Sequence, residues 1–140
     1  MHKIELVHWE SEYSVGAAEI DSQHKDLVEL INELISHSAQ SQSGWKKKFE
    51  KSIKSIAAHS SLHFKTEEEI LSKTEYKNFA DHKKEHERLT GKLKHIINEL
   101  DNIKWEVELY TLTVSFKEWF LSHILLYDKE AKDYFKARAG

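Results

Sequence analysis

Four stretches of the chain place apolar side chains at alternating steps of three and four, the spacing that lines one face of an α-helix. The first sets Leu27, Ile31 and Leu34 behind His24. The second sets Phe49, Ile53, Ile56, Ser60, His63, Glu67 and Ile70 on one stripe, and the third sets Phe79, His82, His86, Leu89, Leu93, Ile96 and Leu100 on another. The fourth runs through Trp105, Leu109, Leu112, Phe116, Trp119, His123 and Leu126. Residues 36–44 are small and polar and read as a loop. The pattern predicts helices at about 21–38, 45–71, 79–100 and 105–135. Residues 1–19 hold no sustained period and are expected to form an arm laid against the helices by Trp9 and Tyr13. Asp21 is expected to cap the first helix, accepting hydrogen bonds from free N–H groups of its first turn. Short connections at 72–78 and 101–104 make successive helices antiparallel. The expected fold is all-α: an up-down-up-down antiparallel four-helix bundle with an extended N-terminal arm, one domain over 1–140.

Composition narrows the chemistry. Proline is absent and glycine occurs four times, which favours unbroken helices. The length is enough to bury roughly 68–70% of the surface of the unfolded chain, so no staple is needed for folding. There are no cysteines, which excludes disulfides, thiolate metal sites and cysteine nucleophiles. Charged residues make up 32% with both signs mixed and a net charge of -3, unlike the basic face of a nucleic-acid binder. Neither a secretion signal nor a run of roughly 18 apolar residues is present, so a cytoplasmic protein outside the membrane is expected.

The stripes are interrupted by the wrong kind of residue. His63, Glu67, His82, His86 and His123 occupy positions that should be apolar, and His24 opens the first stripe. A polar or ionised side chain buried without a partner costs several kcal/mol. Antiparallel packing would bring His24, the pair His63 and Glu67, the pair His82 and His86, and the pair His123 and Asp128 to one end of the bundle. Five imidazoles and two carboxylates meeting there read as a two-metal site. Nitrogen and oxygen donors alone leave zinc, iron, copper, nickel and manganese open.

Single fragments carry little weight, because pairs such as His8/Glu12, His95/Glu99 and His59/His63 show the same spacing without sharing the layer. His2, His8, His37, His59 and His95 are therefore assigned to the surface or the arm, and Lys46, Lys47 and Lys48 to a solvated face. Asp21 and Glu68 are candidates to accept a hydrogen bond from the outer N–H of a ligating imidazole. Asp128 follows His123 by five residues, about 140° around an ideal helix. Both can face one site only if the helix widens to an i→i+5 turn or frays there.

These residues, in this order, resemble the hemerythrin family, specifically its single-domain bacterial members. The likeness covers Trp9, Gly16, the Ile20-Asp21-x-x-His24 entry, His63-Phe64-x-x-Glu67-Glu68, His82-x-x-x-His86 and Trp119-Phe120-x-x-His123-Ile124-x-x-x-Asp128. The resemblance implies one iron on His82, His86 and His123 and a second on His24 and His63. Glu67 and Asp128 would bridge the pair, together with an oxo or hydroxo group. It further implies reversible dioxygen binding at the open position of the two-histidine iron, and no catalytic residue. Leu27, Phe64, Trp119, Phe120 and Ile124 would line that position.

Dioxygen carriage, storage or delivery to an oxygen-using protein partner is thus the expected role. A redox sensor acting through a partner, or a di-iron oxidase, peroxidase or nitric oxide reductase, is the alternative. A ferritin-type oxidase would need two Glu-x-x-His motifs on separate helices. The one present, Glu5-x-x-His8, lies in the arm.

Overall fold

The computed structural model describes residues 5–38, 44–102 and 106–139. His2, Trp105 and the side chains of His37 and Leu109 lie outside the described residues. Helix α1 runs over Ala18–Ser38, α2 over Trp45–Ser72, α3 over Phe79–Glu99 and α4 over Glu106–Ser122. A π-helical turn, His123–Asp128, continues α4, and α5, Lys132–Ala139, ends the described chain. Helix α1 packs on α2 and α4, and α2 packs on α3 and α5. The architecture is the expected four-helix bundle. Among the described residues no helix is long and apolar enough to cross a membrane.

The arm is shorter than its lack of periodicity suggested, and Asp21 does not cap α1. The helix begins at Ala18, so Asp21 sits inside its first turn, with its own N–H bonded to the Ala17 carbonyl at 2.9 Å. Its carboxylate turns back to the arm instead, accepting from the Ser14 hydroxyl at 2.6 Å and the Val15 N–H at 2.9 Å. Gly16, at φ 74°, supplies the left-handed step that lets the arm enter the helix. An extended segment outside a sheet must find partners for its backbone groups elsewhere. Asn32 provides both for Val7: its side-chain oxygen accepts from the Val7 N–H at 2.7 Å, and its amide donates to the Val7 carbonyl at 2.9 Å. Lys117 and Lys129 donate to the Glu5 and Ser14 carbonyls from the side of the fourth helix.

The core is divided. One apolar cluster joins Leu27, Ile31, Phe49, Ile53, Leu93 and Phe116 with their neighbours; a smaller one joins Val15, Ala17, Ile20, Leu71, Tyr76, Ala131 and Phe135. His24 lies between Ile20 of the smaller cluster and Leu27 of the larger, His63 and Glu67 between Ile56 and Leu71, and His82 and His86 between Phe79, packed against the smaller cluster, and Leu93.

The fourth helix departs from the expected continuous span. Asp128 stands five positions after His123, and the backbone accommodates that spacing in a π-helical turn. The extra residue rotates the register. Leu126, expected on the buried stripe, is 65% exposed, while Asp128 is fully buried.

Candidate metal centre

Each donor side chain is carried into the layer between the two clusters by a different part of the bundle. Helix α1 supplies His24, α2 His63 and Glu67, α3 His82 and His86, and the π-helical turn His123 and Asp128. All seven are at most 2% exposed. Their donor atoms fall into two groups, Glu67, His82, His86, His123 and Asp128 in one and His24, His63, Glu67 and Asp128 in the other.

The carboxylates belong to both groups through different oxygens. Glu67 Oε1 lies 2.9 Å from His82 Nε2 and 3.0 Å from His86 Nε2, whereas Glu67 Oε2 lies 2.7 Å from His63 Nε2. Asp128 Oδ1 lies 3.1 Å from Nε2 of both His82 and His123, and Oδ2 lies 2.9 Å from His24 Nε2. Donor atoms about 2.0–2.2 Å from a shared ion, at right angles to one another, stand about 3 Å apart. The observed spacings have that size.

Hydrogen bonding accounts for only part of the cluster, the contacts of His82 and His86 with Glu67 Oε1. His24 Nε2, His63 Nε2, His123 Nε2, Glu67 Oε2 and both Asp128 carboxylate oxygens are buried without a hydrogen-bond partner among the described residues. They are close to one another yet outside hydrogen-bonding geometry, and the donor atoms of each group all lie within 4.8 Å of one another. Groups left in that state cost about 1–3 kcal/mol each. A cation takes up lone pairs from converging directions, so the donor set fits metal ions, with nitrogen and oxygen ligands only.

The electrostatics point the same way. Burial alone would push His24, His82 and His123 down, but the Asp128 and Glu67 carboxylates outweigh it and raise them to about 9, about 10 and about 9. Burial prevails at His63 and lowers it, despite the charge of Glu67. Glu67, against its burial, is held well below the usual carboxylate range by His63, His123 and His24. Asp128 is depressed as well, by His123 and His24, although its burial and the Glu67 charge act upward.

In the metal-free chain the raised imidazoles contribute stability that is complete below the ordinary 6.5 and is lost as pH rises through 9–10. The depressed carboxylates contribute above their ordinary 4.5 and 3.8 and lose it as pH falls further. Metal binding has the opposite sense, since an ion must displace the imidazole protons. The difference in melting temperature between loaded and metal-free protein should therefore widen from about pH 6 to about pH 9. Paired thermal scans giving a constant difference would show that these imidazoles carry no proton when the metal is gone.

Outer contacts hold some of the rings. His86 Nδ1 lies 2.9 Å from Glu68 Oε2, as anticipated for Glu68, while Asp21 serves the arm through Ser14 and Val15. His63 Nδ1 lies 2.8 Å from Gln23 Oε1, a contact not anticipated from the sequence. Phe64 stacks on His86 at 4.2 Å and meets His123 edge-on at 5.7 Å; Phe120 meets His24 edge-on at 6.2 Å. Leu27 and Ile124 are buried in the larger cluster. Trp119 is only partly buried, and the Lys92 ammonium stands 4.0 Å from its ring centre, so one face is turned outward. Tyr127, also unanticipated, stacks on His123 at 5.8 Å. His8, His59 and His95 are exposed and take no part.

Fold and site together define a helical-bundle protein with a buried histidine and carboxylate cation site. The chain belongs to the hemerythrin family: the profile of the hemerythrin HHE cation binding domain matches residues 15–135. It is 29% identical over 125 residues to a bacteriohemerythrin of Methylococcus capsulatus, covering 89% of this chain and 92% of that one. A bacteriohemerythrin of Clostridium acetobutylicum is 28% identical over 131 residues, covering 89% and 98%. The crystal structure of a wild-type hemerythrin superposes with a TM-score of 0.83 at 24% identity, over 94% of this chain and 99% of that chain. That likeness bears on the fold.

Proposed function

We propose that the centre holds two iron ions and that the protein binds dioxygen reversibly, for carriage, storage or delivery to an oxygen-using partner. His82, His86 and His123 would hold one ion and His24 and His63 the other, with Glu67 and Asp128 offering an oxygen to each. The observation that carries this reading is the division of each carboxylate's two oxygens between the two donor groups. One donor group has three imidazoles and the other two, so an ion in the second group would have one protein donor fewer and could take a small ligand there. When bound, the iron pair supplies the electrons exchanged with dioxygen.

The chain's own contribution is to keep water and proton donors away. Leu27, Phe64, Phe120 and Ile124 surround the donor layer with hydrocarbon, and Trp119 stands behind them. A dry pocket slows irreversible oxidation of the loaded protein. Phe64→Ser, which brings a hydroxyl beside His86 and His123, is expected to speed autoxidation in air several-fold. An unchanged rate would remove Phe64 from the pocket.

The reading as a whole is tested by iron content and by the visible spectrum of the reduced protein under air. A coloured oxygen-dependent species that disappears when oxygen is withdrawn is expected. Direct conversion to the oxidised protein would favour a di-iron oxidase, and a colourless zinc protein would overturn the iron assignment.

A further inference from the structure

The five imidazoles are not anchored alike. Among the described residues, the outer nitrogens of His24, His82 and His123 have no hydrogen-bond partner. The two that have one, His63 and His86, fall in different donor groups, and their partners differ in charge.

A ring that coordinates through Nε2 keeps its proton on Nδ1 and must donate there. That requirement sets the direction of a whole chain of contacts. His63 donates to Gln23 Oε1 at 2.8 Å, which turns the amide nitrogen of Gln23 toward Thr66 Oγ1 at 3.2 Å. The Thr66 hydroxyl then donates to the Leu62 carbonyl at 3.0 Å, one turn back along α2. Each donor meets an acceptor, so the amide is locked in one orientation and ties α1 to α2 beside the ring. His86 donates instead to the Glu68 carboxylate, which is 26% exposed and lines a surface cleft with Phe64 and His86.

An anionic acceptor raises the donor strength of a ligating imidazole more than a neutral amide does. We propose that Gln23 is a positioning residue that fixes the ring of His63 while leaving it a weaker donor than His86, so that the two metal positions differ in affinity. The inference rests on the two-iron reading above. The ion shared by His24 and His63 is then the looser one, and the ion of His82, His86 and His123 the tighter.

The test is anaerobic titration of the metal-free full-length chain with ferrous iron, read as stepwise binding, with Mössbauer spectra of the iron-57-loaded protein. Two unequal steps are expected in the parent chain. Gln23→Leu should weaken the looser step about 10–100-fold, leaving the tighter one in place. Gln23→Glu, which keeps shape and puts a carboxylate on His63, should draw the two steps together and shift one of the two iron signals. Glu68→Gln should weaken the tighter step.

Both steps unchanged in Gln23→Leu, or equal losses in both, would overturn the proposal. Should Gln23→Leu fail to fold by circular dichroism, Gln23→Glu decides alone, and unmoved steps there overturn it too. A parent chain that takes up a single iron defeats the two-iron reading itself, and this inference with it.

Discussion

On the proposed two-iron reading, Glu67→Ala is expected to empty the centre, leaving well under one iron per chain after a loading that would fill both positions in the parent protein. Glu67 is 0% exposed and presents one oxygen to His82 and His86 and the other to His63. Its removal therefore takes a candidate donor from each group at once. It also deletes a negative charge that holds His24, His82 and His123 in their raised range. Breaking a buried pair by taking away one partner costs about 3–5 kcal/mol, so the metal-free protein should melt earlier as well. Elemental analysis after anaerobic loading is the measurement, with Glu67→Gln separating lost charge from lost volume. Full iron content in Glu67→Ala would show that the carboxylate spans nothing.

Deleting Leu126 should damage the protein far more than replacing it with alanine. The side chain is 65% exposed, so Leu126→Ala removes little buried hydrocarbon and should leave iron content and melting temperature close to the parent's. Deletion converts the π-helical turn to ordinary helical spacing and rotates everything after it by about 100°. Asp128 could follow His123 at four residues, but Ala131 and Phe135, both 0% exposed, would then leave the smaller cluster. Exposing a phenylalanine of that kind costs about 3–5 kcal/mol. If the bundle keeps Phe135 instead, Asp128 is displaced from the donors. Either way, iron occupancy and thermal stability should fall together. A deletion protein that loads and melts like the parent would show that the wide turn plays no part in setting the layer.

The bundle could be read from the sequence because its signals are local and repeated. Residues such as Ile53, Ile56, Leu89 and Leu93 report a helix face by spacing alone, and five of the seven donors, His63, Glu67, His82, His86 and His123, stood out as polar breaks in those faces. The wide turn was legible for the same reason: the His123 to Asp128 spacing has no regular helical solution. What escaped depends on contacts between helices. Leu126 fits the stripe when the helix is counted without its extra residue. Asp21 has the chemistry of a cap, yet its acceptors serve Ser14 and Val15, a choice set by how the arm folds back. Gln23 lies next to His24 in sequence but points about 100° away from it, and only the packing of α1 on α2 brings it to His63. The bend that separates α5 from the π-helical turn had no proline or glycine to announce it.

The unequal division of the hydrophobic core gives the molecule a thick end and a thin end, with the donors between them. Seven buried side chains seal the thin end, two of them, Ala131 and Phe135, at the bend and on the short helix α5. Transient opening is cheapest where the fewest apolar contacts break and the secondary structure is shortest. Fraying of α5 is thus expected to loosen the thin end before the thick one, which hydrogen exchange along the chain would show as faster exchange at the amides of α5 than at those of Ile53 or Leu93.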